Sequence, residues 1–207
     1  MKRALSPAVA AFFLLSAAEG LAQEGGNPTI FERYARKLEK NPALDKFVQS
    51  PASGLQNLQW MVGTWDAVST RYATASTKEA VQTGTRKTTF ELGGWWLTSI
   101  DDVGRLKAAS LITLDGFSQN WGRIFVSNWG AGLVRPMISE KGWDGHTIAF
   151  TGAIVLFGEP VNMRLRISKA SNDEYYEIWE EKINENNIVP VLQLKLTRRK
   201  GTGAPGK

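Results

Sequence analysis

The segment VNMRLRISK, Val161 to Lys169, sets Val161, Met163, Leu165 and Ile167 on one phase and Asn162, Arg164, Arg166 and Ser168 on the other. A period of two belongs to a strand with one buried face, because successive side chains leave opposite sides of the pleat. Similar alternation recurs from Trp60 to Arg199, interrupted by Gly, Asn and Asp turn signals. YYEIWEEK sets Tyr175, Glu177, Trp179 and Glu181 against Tyr176, Ile178 and Glu180, and VPVLQLKLTRR carries Leu192, Leu194 and Leu196 on one phase. The pattern predicts about ten strands, at 61–73, 79–91, 94–102, 106–114, 121–130, 133–140, 147–157, 161–169, 174–184 and 189–199. Short turns join most neighbours, so a meander is the simplest topology. The expected fold class is all-β and mainly antiparallel, an up-and-down barrel closed on itself, with a two-sheet sandwich as the alternative.

The ends of the chain constrain where it works. Lys2 and Arg3 precede a short apolar run, Ala8 to Ala18, and Gly20-Leu21-Ala22 supplies the small residues of a cleavage site. Residues 1–22 therefore read as a secretory signal peptide. The run is shorter than the span of about 20 residues that crosses a bilayer, which leaves an uncleaved anchor as the lesser alternative. The expected location is the bacterial periplasm or the outside of the cell, with no transmembrane anchor after cleavage. The chain has no cysteine, so neither a lipoprotein anchor nor a disulfide is available, and the core alone must hold the fold. The formal net charge is +5, or +4 without the signal. So weak a field, with no stripe of Lys and Arg interleaved with aromatics, argues against nucleic acid.

Residues 23–58 are expected to form a polar lead and a helix. Ile30, Phe31, Tyr34 and Leu38 fall at helical spacing, Thr29 is placed to cap it, and Glu32 completes a capping box. Asn41-Pro42 breaks the helix, and Leu44, Phe47 and Val48 continue an apolar face. Such a helix must dock its apolar side, either on the outside of the main domain or, in the sharper reading, as a lid over a barrel mouth. Residues 51–58 read as a linker, 59–199 as the barrel and 200–207 as a disordered tail.

Several phrases then coincide: Gly63-x-Trp65 opens the first strand, Gly93-Gly94 and Trp95-Trp96 mark the second hairpin, and Asp115-Gly116 and Gly142 to Gly145 mark later turns. In order and spacing these resemble a bacterial family of calycin-like β-barrels, distantly akin to lipocalins, fatty-acid-binding proteins and nitrobindins. The resemblance spans Leu58 to Arg199. It implies a barrel with a ligand cavity and no particular activity.

The single histidine, His146, has no His or Cys companions for a zinc site. Nitrobindin-like barrels hold haem through a late-strand histidine, whereas His146 follows the Asp144-Gly145 turn, so no cofactor is implied. An Asp144–His146 dyad is weaker than a plain surface turn. No Gly-x-Ser-x-Gly elbow or phosphate loop is present. Asp101-Asp102 and Glu180-Glu181 are adjacent acids that a strand sends to opposite faces. The strand arginines are more informative. Arg164 and Arg166 alternate toward solvent. Arg71 shares a phase with Trp65, Ala67 and Ser69, and Arg123 shares one with Phe125 and Trp129. A buried arginine demands a partner, often a carboxylate ligand.

These residues support a non-enzymatic binding barrel for a small apolar or amphipathic ligand, hydrophobic or acidic. Arg71 and Arg123 are the candidate anchors, and Trp65, Trp95, Leu97, Trp129, Met163 and Trp179 the candidate apolar walls. The alternatives are a lyase or isomerase on the same barrel, and a structural or interaction module filled by its own tryptophans.

Overall fold

The structure is a computed structural model. It describes residues 28–42, 53–75, 77–115, 118–128, 136–156, 158–184 and 187–201. Residues 1–50 and 51–207 form two separate compact units. In the first, helix α1 (Ile30–Lys40) has the expected capping box: Thr29 Oγ1 accepts from the Glu32 amide at 3.2 Å, and Glu32 Oε2 accepts from the Thr29 amide at 2.6 Å. The expected apolar turn at Leu44 to Val48 lies outside the described residues, as do the signal and tail segments.

The second unit is a closed barrel of ten antiparallel strands. They are β1 (Gly63–Arg71), β2 (Ala80–Glu91), β3 (Trp96–Val103), β4 (Leu106–Leu114), β5 (Trp121–Ser127), β6 (Met137–Ser139), β7 (Thr147–Leu156), β8 (Glu159–Lys169), β9 (Glu174–Asn184) and β10 (Asn187–Arg198). Each strand pairs with its sequence neighbours, and β1 closes on β10 with Ala67 opposite Leu196. Closure removes the unpaired edges of an open sheet. The period-two pattern becomes the wall: Ile148 and Phe150 on β7, Met163, Leu165 and Ile167 on β8, and Leu194 and Leu196 on β10 are buried inside.

The stretch expected as a linker is a 3-10 helix, Ser53–Met61, and its Leu55, Leu58 and Met61 are buried in the core. These apolar residues, three apart, make one buried stripe on a helix of about three residues per turn. Trp65 packs beside them. Its Nε1 donates to the Met61 carbonyl at 2.8 Å, and its ring meets Tyr175 edge to face with centroids 4.8 Å apart. The Arg198 guanidinium lies 4.2 Å from the Trp65 ring centroid and donates to the carbonyls of Val62, at 3.0 Å, and Trp60, at 2.7 Å. Gly63 has φ +137°, and a Cβ there would stand 2.7 Å from Arg198 Nη1. The Gly-x-Trp at the start of β1 thus plugs one end of the barrel: glycine admits the arginine, and the arginine covers the tryptophan. The Gly93 and Gly94 turn likewise takes positive φ, at 68° and 96°, which glycine adopts without a Cβ penalty.

Candidate functional site

Directly beyond this plug the interior becomes ionic. Arg86, Asp101, Arg123 and Glu177 come from β2, β3, β5 and β9, and each shares its phase with buried neighbours. Arg86 and Asp101 are register partners, so the guanidinium meets its carboxylate directly across the ladder. Nε donates to Oδ1 at 2.6 Å and Nη2 to Oδ2 at 2.9 Å. The other edge of Arg86 reaches Glu177: Nη1 donates to Oε1 and Nη2 to Oε2, the latter at 3.3 Å. Nη1 also donates to the Tyr175 hydroxyl at 3.2 Å. Five contacts account for all five N–H groups of Arg86.

Arg123 is different. Nη2 donates to Glu177 Oε2 at 3.2 Å, while Nε and Nη1, both buried, have no acceptor among the described residues. The side chain is 0% exposed. The Trp179 ring lies 5.4 Å from its guanidinium carbon, and the Phe125 and Trp179 rings are 4.8 Å apart. Both aromatics share the inward phase on the side of Arg123 away from the plug.

The ionic layer sets its own protonation. Burial alone would push the Glu177 carboxyl up, but the charges of Arg123 and Arg86 and their hydrogen bonds outweigh it and hold the pKa at about 2. Burial pushes the Tyr175 phenol up to about 12 against the opposing pull of Arg86. Burial would lower the pKa of Arg86, but Asp101 and Glu177 raise it well above its ordinary value. At neutral pH Glu177 is therefore ionised and Tyr175 neutral.

The other candidate residues are dispersed. Arg71 has the inward phase of Trp65, Ala67 and Ser69, but it stands exposed where β1 ends and donates to the Lys78 carbonyl at 3.4 Å. Trp65 and Leu97 are fully buried, Trp65 against the plug. Trp95 is half-buried at the turn before β3, and its carbonyl accepts from Thr113. Met163 is buried on β8, register partner of Gly152 and Glu181. Trp129 lies outside the described residues. The candidate group that comes together is thus Arg123 with Trp179. Asp144 and His146 form an exposed turn in which Asp144 Oδ1 accepts from the amides of His146 and Thr147 at 2.8 and 2.6 Å. Outside the barrel, Arg164 and Arg166 both reach Glu180, as their phase predicts.

Arg86 and Glu177 are not among the residues that the sequence singles out for a site, and Asp101 enters there only as one of two adjacent acids. A signal existed: Asp101 alternates in step with Leu97, Ser99 and Val103, and Glu177 in step with Tyr175 and Trp179. A charged side chain on the apolar phase of a strand is a candidate for a buried, paired group.

No protein-family model matches this chain, and no curated protein matches it. Among solved structures it is similar to one titled "Crystal Structure of Rv2717c from M. tuberculosis". The TM-score is 0.52 at 12% sequence identity, over 73% of this chain and 100% of that one. At that identity the likeness is one of fold.

Proposed function

We propose that the protein is an exported binding barrel that holds a small amphipathic molecule, with its polar end at Arg123 and its apolar part against Trp179, Phe125 and Met163. One observation carries this reading: among the described residues, a fully buried arginine leaves Nε and Nη1 without acceptors. Buried polar groups are nearly always satisfied, and an exception calls for an explanation such as a ligand or ordered water. A guanidinium whose neighbour Arg86 is fully satisfied is a ready hydrogen-bond donor. The export part rests on the basic, apolar and small-residue pattern of residues 1–22. The calycin-like affiliation rests on the ten-strand meander and the turn motifs.

A second reading, a barrel filled by its own side chains whose role lies on its surface, draws on a different observation: Trp65, Tyr175, Phe150, Arg86 and Arg123 are all buried to 1% exposure or less. Titration with Nile red, an uncharged dye that carries a carbonyl acceptor, separates the two. Saturable one-to-one binding, weakened about tenfold or more in Arg123→Met, is the expected outcome, in line with the worth of a hydrogen bond to a charged donor. A dye that never saturates would instead support the filled barrel.

A further inference from the structure

Among the described residues Arg123 lacks acceptors for Nε and Nη1, but it does not lack a counter-charge. Arg86 and Arg123 stand against Asp101 and Glu177, two positive charges against two negative, each side chain at 2% exposure or less. The groups facing Arg123 leave this balance unchanged. Its register partners are Ile112 on β4 and Met137 on β6, both apolar. From β9 come Glu177 and Trp179, and Arg86 on β2 and Asp101 on β3 join through Glu177. Farther toward the end opposite the plug, Glu181 is half-buried and Arg71 is exposed.

An anion seated on Arg123 would place a third negative charge against two positive ones in a layer shut off from water. An uncompensated buried charge is costly. A neutral acceptor supplies the missing lone pairs and leaves the charges balanced. Resting on the ligand reading above, we propose that the head group received by Arg123 is a neutral acceptor, an amide, ketone or ester carbonyl, and that a carboxylic acid enters only as its protonated form. An alkanoate in solution then binds together with one proton drawn from the buffer. This departs from the carboxylate anchor that Arg123 suggests in the sequence alone, because the carboxylate that it wants is already present as Glu177.

The test is calorimetric titration of the full chain with dodecanamide and with dodecanoic acid at pH 6, 7 and 8. The amide is expected to bind with affinity constant to within about twofold, since nothing on it titrates there. The acid, whose carboxyl ionises well below pH 6, is expected to lose about tenfold in affinity per pH unit. Its heat in buffers of different ionisation enthalpy should report uptake of one proton. Acid that binds at pH 8 as tightly as the amide, with no proton taken up, would overturn the head-group assignment and leave the ligand reading standing. Failure of both compounds to bind would overturn the ligand reading itself. Arg123→Lys, which keeps the charge with fewer donors, is expected to weaken the amide about tenfold, and an unchanged amide affinity would move the head group away from Arg123.

Discussion

Arg86 and Arg123 sit in one layer of one barrel, equally buried, and share the carboxylate of Glu177. Arg86 is held by Asp101 and Tyr175 as well, whereas among the described residues Arg123 has that one bond and an aromatic ring beside it. The difference teaches that burial alone does not assign a role to a charged side chain. The number of acceptors within reach does: Arg86 is committed to cross-linking β2, β3 and β9, and Arg123 retains unused donors.

The largest expected effect breaks the committed side. Arg86→Met leaves two carboxylates with a single arginine and should lower stability by about 3–5 kcal/mol in urea unfolding. A loss under about 1 kcal/mol would mean the network contributes little.

Acid probes the carboxylate that joins the two arginines. The folded pKa of Glu177, about 2, lies below its ordinary value of 4.5, so its ionisation stabilises the fold fully above about pH 4.5 and loses that contribution as pH falls toward 2. The shift corresponds to about 3 kcal/mol. Unfolding midpoints measured from pH 6 to 2 should fall mostly below pH 4.5, and Glu177→Gln should flatten that slope.

A third variant sharpens the contrast. Arg123→Met removes one bond to Glu177, which keeps Arg86, and should cost about 1–3 kcal/mol. If it costs as much as Arg86→Met, the two arginines are structurally equivalent and the distinction between them fails. The smallest effect is that of Tyr175→Phe, which deletes one of the five bonds to Arg86, at about 1 kcal/mol by thermal or urea unfolding. A much larger loss would show that the hydroxyl orients the whole layer.

Much of the fold was legible because strand formation depends on a local period. All ten strands were anticipated, and most described ends fall within two or three residues of expectation, since turn residues and alternation are both short-range signals. The Thr29 capping box and the glycine turn at 93–94 were readable for the same reason. The linker expected over 51–58 is instead helical from Ser53, because Leu55 and Leu58 declare a buried stripe only once a barrel end exists to receive them.

The candidate site was half legible. Alternation placed Arg123 inward and Arg164 and Arg166 outward, and it gave Arg71 the same inward phase as Trp65. It could not say that Arg71 ends in solvent at the rim, because phase describes a face and not a depth along the barrel. By itself, the sequence determined the strands and their facing, both consequences of spacing along the chain. Only the tertiary structure decided that positions 86, 101, 123 and 177 form one layer and that Glu177 already neutralises Arg123. The stagger of strands around a closed barrel determines which inward residues meet, and that stagger belongs to the whole ring rather than to any one segment.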